Sequence, residues 1–255
     1  MKRIWGSVCS ATIALAGSAL IMPACNHPDA SIFIQGIAIP PVPSMTGCLY
    51  PAASGTTALL FEGQVDVAVA GSYQEVVVVG NQILPQADPS SDKAETSRVV
   101  LNKVSVHVTT STGQLIDDYS TQVDGFVDVG TSGTPGYGQV QAELIGGPAF
   151  DYLAAQAKLQ PYVSISAISE FYFTGTTLGG VTVQSDTFSY PINVCYGCLV
   201  SFANDVGGVC NTQPTTAVSR PCFLGEEDTY DCSLCGDKIC AAPGAGYALV
   251  DAGAP

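Results

Sequence analysis

The stretch "RVVLNKVSVHVTT" (98–110) decides the fold. Val104, Val106 and Val108 alternate with Ser105, His107 and Thr109, so apolar and polar side chains fall on opposite faces of an extended chain. β-branched residues at this period specify a half-buried strand. His107 then reads as a solvent-facing strand histidine, with Ser105 and Thr109 as same-face neighbours.

The same rhythm runs outward in both directions. In "FEGQVDVAVA" (61–70), Val65, Val67 and Val69 share one side and Gln64 and Asp66 the other. "YQEVVVVGNQI" (73–83) carries the run Val76–Val79, suited to a central strand. "PQADPSSDKAET" (85–96) is a polar loop. "QLIDDYS" (114–120), "VDGFVDV" (123–129) and "YGQVQAELI" (137–145) continue the alternation. "VSISAISEFYF" (163–173) and "VTVQSDTFSYPINV" (181–194) are joined by the Gly-rich "TGTTLGG" (174–180), a hairpin signal.

One segment departs from period two. In "AFDYLAAQAKLQP" (149–161), Phe150, Leu153, Ala154 and Ala157 recur at helical spacing, and Pro161 ends the element. Short strands around one connecting helix predict an all-β domain over 48–194, an antiparallel β-sandwich of the immunoglobulin-like kind. The core tryptophan of that fold is missing, because the only Trp is Trp5.

The N-terminus opens with Lys2 and Arg3, runs through apolar and small residues from Ile4 to Met22, and reaches "LIMPAC" (20–25). These are the three regions of a secretory signal. Ser7, Ser10, Thr12 and Ser18 dilute the run below what a membrane span of roughly 20 apolar residues needs. "LIMPAC" resembles the lipobox of bacterial lipoproteins, with Ala24 matching well and Met22 and Pro23 departing from the usual residues. The resemblance covers the first 25 residues. It implies removal of residues 1–24 and lipidation of Cys25, giving an anchor at the membrane. Several chains on one residue hold a protein stably, where one holds it marginally at about 0.8 kcal/mol per buried methylene. In that family an Asp directly after the cysteine retains the protein in the inner membrane; Asn26 here implies the outer membrane. Residues 25–47, with Pro40, Pro41 and Pro43, read as a lipidated N-terminus and stiff tether, although Ile32–Ile39 also fits an edge strand.

Loss of Lys2 and Arg3 leaves 6 basic residues against 22 acidic, a net charge of −16. A nucleic-acid partner is thereby excluded, since phosphate binding needs clustered cations. Eight cysteines remain besides Cys9 and Cys25: Cys48, Cys195, Cys198, Cys210, Cys222, Cys232, Cys235 and Cys240. An even number in an exported chain predicts disulfides. Residues 195–240 hold seven of them in 46 positions with few large apolar residues, so this module needs covalent staples. Seven is odd, so complete pairing sends one bond out of the module to Cys48 and closes three inside it. Residues 241–255 read as a loose tail. The Cys-rich, Pro/Gly-punctuated layout is also similar to uncharacterised lipoproteins of myxobacteria, which implies no activity.

Two CxxC pairs, "CYGC" (195–198) and "CSLC" (232–235), have the ligand types of a zinc site. The long gap between them and four competing cysteines favour disulfides. Cys195 ends a strand-like segment, whereas a thioredoxin-like cysteine opens a helix. Neither pair is followed by His, which excludes haem attachment. Asp88, Asp92 and Glu95 in one loop, and Glu226, Glu227, Asp228 and Asp231 in another, offer hard oxygens of the calcium-binding type without EF-hand spacing. No nucleophile elbow, HExxH or P-loop is present, and His27 lies in the tether. No catalytic residue, metal or cofactor is therefore assigned. The expected protein is a non-enzymatic binding or structural module of the cell envelope, with an envelope protein or glycan as partner. The alternative is a carboxylate-dependent hydrolase acting on envelope carbohydrate.

Overall fold

The structure, a computed structural model, describes residues 31–42, 48–86, 94–131, 133–161, 163–201 and 221–234. Its elements in chain order are β1 (Ile32–Ala38), β2 (Leu59–Leu60), β3 (Gly63–Asp66), β4 (Tyr73–Asn81), β5 (Val99–Thr110), β6 (Leu115–Val127), β7 (Gly136–Ile145), α1 (Gly147–Leu159), β8 (Ile165–Thr177), β9 (Thr182–Gln184), β10 (Phe188–Cys195), β11 (Val200–Ser201) and β12 (Tyr230–Asp231). The protein is mostly β, as the alternation predicts. One sheet has the order β2-β1-β4-β7 and is antiparallel throughout. A second, larger sheet runs β3-β10-β8-β5-β6, with β9 paired to the far half of β8.

Two pairs are parallel, β3 with β10 and β11 with β12. The antiparallel expectation misses them because each joins strands far apart in sequence, where no hairpin fixes direction. β1 corrects a second expectation. Of the two readings of this segment the strand holds for residues 32–38, and it is an inner strand where an edge strand was expected: β1 lies between β2 and β4. Its apolar residues Ile32, Ile37 and Ala38 are buried there. The β region therefore starts before Cys48.

One apolar core takes side chains from both sheets, including Val77, Val79, Val140 and Leu144 from the first and Val104, Val106, Phe171 and Ile192 from the second. Burying each such side chain contributes about 1.5–3 kcal/mol. β5 serves this core with two phases. Val99 and Leu101 are buried, a bulge follows between Leu101 and Lys103, and then Val104, Val106 and Val108 are buried. The extra residue resets the alternation so that odd and even positions both reach the core. Polar ties cross between the sheets: Ser169 Oγ donates to Leu144 O at 2.8 Å, and Tyr119 Oη to Glu143 O at 3.2 Å. α1 spans the expected helix. It buries Phe150, Leu153, Ala154 and Ala157, and packs against β6, β8 and β10.

The segment 221–234 is built into this body. Its stretch 225–227 adds to the free edge of β3: the Asp66 amide donates to Gly225 O at 2.7 Å and the Glu227 amide to Gln64 O at 2.9 Å. A disulfide joins Cys222 to Cys48, 174 positions earlier.

Candidate functional site

Three polar places stand out, and the strands position each. The first is a groove of about 390 Å³ on the outer face of the larger sheet. The bulge before Lys103 fixes which β5 residues face outward, and these include Ser105 and His107. Register then supplies their neighbours. Asp118 on β6 and Glu170 on β8 stand directly opposite His107. Ser120 and Tyr172 stand opposite Ser105, and Thr187 completes the wall. His107 Nδ1 lies 3.7 Å from Asp118 Oδ2, too long for a hydrogen bond. Ser105 and Ser120 share a bond of 2.9 Å between their hydroxyls. Ser105 is thus engaged across the strand pair, and no hydrogen bond joins it to His107.

The second place is the carboxylate of Asp66. The alternation puts Asp66 on the side opposite Val65 and Val67, and says nothing of what covers that side. The strand stops at Asp66, residues 67–69 form a turn, and Asp66 is fully buried. Its Oδ1 accepts the amides of Gly197 (2.7 Å) and Ala68 (3.0 Å); Oδ2 accepts the Leu199 amide (3.1 Å) and the Tyr230 hydroxyl (3.3 Å). It thereby fastens the "CYGC" loop, whose Cys195 and Cys198 form a disulfide. Among the described residues, Asp66, Cys195 and Cys198 are the only group of three or more His/Cys/Asp/Glu residues whose ligand atoms lie within 4.8 Å of one another. The disulfide and the four hydrogen bonds already occupy those atoms. Cys232 is disulfide-bonded as well, while Cys210, Cys235 and Cys240 lie outside the described residues.

The third place is the seam between 225–227 and the sheets. Glu227 Oε1 accepts the Tyr73 hydroxyl at 2.6 Å and the Gln64 amide at 2.9 Å. Glu226 Oε1 accepts the Gln74 amide at 3.2 Å. Glu227 holds a left-handed φ of 54°, the only non-glycine residue described with a positive φ. Glu75 on β4 is fully buried, and neither of its carboxylate oxygens has a hydrogen-bond partner. Burial first, then the charges of Glu227 and Glu226, push the Glu75 carboxyl up to about 9. The Val76 amide and Tyr73 hydroxyl pull it down, without reaching hydrogen-bond geometry. Burial likewise raises Glu226 to about 8, partly offset by the Gln74 amide, and raises Glu227 as well. Burial and the same carboxylates raise the Tyr50, Tyr73 and Tyr190 hydroxyls.

No model of a known protein family matches the chain, and no curated protein matches it.

Of the sequence candidates, Cys25, His27, Asp88 and Asp92 lie outside the described residues. Glu95 caps its own loop, accepting the amides of Gln86 at 3.0 Å and Ser97 at 2.6 Å. Asp231 accepts from Ser233, through the amide at 2.9 Å and the hydroxyl at 2.6 Å. Glu226 and Glu227 come together with Glu75, Tyr73 and Tyr190, which sequence reasoning did not connect. Asp66, Asp118, Glu170 and Tyr172 were missed too, since cross-strand register decides them. No helix among the described residues is long and apolar enough to cross a membrane.

Proposed function

We propose that this chain is a lipid-anchored protein of the bacterial cell envelope, held at the outer membrane through Cys25. Its β domain, read as an immunoglobulin-like sandwich, acts as a non-enzymatic binding module for a glycan. Two sheets sharing one core support the sandwich reading. The observation that carries the function is the His107 groove. It is open, lies on a rigid sheet, and presents two carboxylates, an imidazole, three hydroxyls and the Tyr172 ring. Carboxylates accept paired hydrogen bonds from neighbouring sugar hydroxyls, and an aromatic face covers the apolar face of a sugar ring. Binding is tested by titrating peptidoglycan fragments and outer-membrane polysaccharide into the protein. Glu170→Gln and Asp118→Asn should weaken binding about tenfold or more each, the value of one charge-assisted hydrogen bond, without lowering Tm. Wild-type affinity in both variants sinks the groove as the glycan site.

One observation favours a carboxylate hydrolase as the second reading. Asp118 and Glu170 flank His107 on strands two spacings apart, about 9–10 Å between backbones. That overlaps the separation of about 6.5–9.5 Å used by inverting glycosidases. Release of reducing ends from envelope polysaccharide, abolished by Glu170→Gln, would select this reading over simple binding.

A further inference from the structure

We propose that Cys195 and Cys198 form a thiol–disulfide exchange site. In its dithiol form the pair reduces an external disulfide, with Cys198 as the attacking sulfur and Cys195 as the sulfur that closes the bond. The site is separate from the His107 groove and does not depend on the glycan reading.

The first observation is that this bridge is not what holds its loop. It spans 3 positions, against 174 for Cys48–Cys222, so it removes little freedom from the unfolded chain. The loop has other anchors. Asp66 takes the Gly197 and Leu199 amides, on either side of Cys198, at 2.7 and 3.1 Å. The Val67 amide donates to Cys195 O at 2.9 Å, and the Tyr230 amide to Leu199 O at 3.0 Å. None of these bonds passes through a sulfur. Opening the bridge therefore leaves both cysteines where they are, within reach of each other.

The second observation is that each sulfur already faces the partner its reduced form needs. Gln64 Nε2 donates to Cys198 Sγ at 3.3 Å. A donor there stabilises a thiolate, the nucleophilic form of cysteine. Cys195 Sγ lies 3.5 Å from Val65 O, an acceptor for the S–H that reduction creates. Access divides the pair in the same sense, since Cys195 is fully buried and Cys198 half-buried. Cys195 ends β10 and opens no helix. The polarity of the pair thus comes from Gln64 and Val65, and the second cysteine of the motif is the activated one.

The exchange balances as follows. The Cys198 thiolate attacks one sulfur of the external disulfide, whose S–S bond breaks with the electron pair on its second sulfur. A mixed disulfide now sits on Cys198. Cys195 gives up its proton and attacks Cys198 Sγ, the mixed disulfide breaks, and the substrate's first sulfur departs as a thiolate. The protons from Cys195 and Cys198 end on the two substrate sulfurs. The substrate gains two electrons, and the pair loses two in forming the Cys195–Cys198 bond of this structure. An external dithiol returns the pair to its reduced form.

The test uses the full-length protein. Reduction of insulin by limiting dithiothreitol is followed by turbidity, and thiols are mapped by alkylation and mass spectrometry. Wild type should accelerate the reduction, and Cys198→Ser should lose the acceleration entirely. Cys195→Ser should instead trap the substrate: Cys198 attacks, nothing closes the bond, and a mixed disulfide between Cys198 and insulin accumulates. Cys198→Ser should trap none. In wild type, alkylation during turnover should find the new thiols at Cys195 and Cys198, with Cys48–Cys222 intact. The wild-type measurements decide the matter even if a variant fails to fold. No acceleration by wild type, or thiols that arise elsewhere while Cys195–Cys198 stays closed, overturns the proposal. So does an acceleration that survives in Cys198→Ser, or trapping through Cys195 in place of Cys198.

Discussion

The Tyr73 hydroxyl donates to Glu227 Oε1 at 2.6 Å, tying the first residue of β4 to a segment 154 positions later. Tyr73 is fully buried, so this bond forms only where the backbone around it makes room. Gly63 makes that room. A Cβ there would run into Tyr73 Oη and lie 3.0 Å from Tyr190 Cε1.

Gly63→Ala should therefore break the Tyr73–Glu227 bond and force two buried rings apart. Overpacking of this kind costs about 1–3 kcal/mol, and the lost hydrogen bond to a charged acceptor adds about 1.5–3. Gly71→Ala is the control, since a Cβ there meets nothing within 4 Å. Urea unfolding compares them. Equal midpoints for the two variants contradict the packing described.

The seam also sets a pH dependence. Burial raises Glu75 from 4.5 to about 9 and Glu226 from 4.5 to about 8. The folded state thus holds protons that the unfolded chain releases. A raised folded pKa means stability that is complete below the unfolded value and lost as pH rises through the folded one. Stability should fall between about pH 4.5 and 9. Thermal unfolding at steps across that range measures it. Glu75→Gln should show a shallower slope than wild type. A wild-type slope no steeper than that of Glu75→Gln would falsify the assignment of the dependence to this residue.

Removing the Cys48–Cys222 disulfide should destabilise the protein by about 2–5 kcal/mol, given the long loop it closes. Cys48→Ser alone should leave one new reactive thiol, at Cys222. Thiol counting under denaturing conditions checks the pairing, and guanidinium unfolding checks the energy. No new thiol, or an unchanged midpoint, refutes the corresponding half.

The anchor is tested separately. Cys25→Ala should release the protein from membranes and leave the fold intact, since the described β region begins after it, with β1 at Ile32. Labelling cells with a radioactive fatty acid tells the outcomes apart. Label persisting in the variant, or never appearing in the wild type, removes the lipid anchor.

What the sequence made legible follows from how local each feature is. The alternation at Val104, Val106 and Val108 marks a core-facing strand because side-chain period is a property of neighbours. Phe150, Leu153, Ala154 and Ala157 mark α1 for the same reason. Asp66 shows the limit of that logic: alternation gives its side of the strand, while its partners at 197, 199 and 230, far off in sequence, make it a buried acceptor. Glu75 beside a Val run gave no sign that Glu226 and Glu227 would close over it. The His107 groove needed the register of three strands, which no single segment carries. Long-range pairing, parallel at β3–β10, decided all three places.

Asp66 supports the sharpest ranking of variants. Its fully buried carboxylate takes three amides and one hydroxyl. Asp66→Ala strands three backbone amides, takes one acceptor from the Tyr230 hydroxyl and opens a small cavity. At about 1–3 kcal/mol for each stranded group, the loss is comparable with the whole stability of a domain. Asp66→Asn keeps the shape and one acceptor oxygen. Turned so that this oxygen replaces Oδ1, it still serves Gly197 and Ala68, and only the Leu199 amide is stranded. The expected order of stability is wild type, then Asn by a few kcal/mol, then Ala, which should be recovered unfolded or not at all. Loss of the "CYGC" anchor should also make the Cys195–Cys198 disulfide reducible at lower dithiothreitol in Asp66→Asn than in wild type. Denaturant unfolding and a reduction titration read the two effects independently. If Asp66→Ala unfolds with the wild-type midpoint, the carboxylate does not hold this loop.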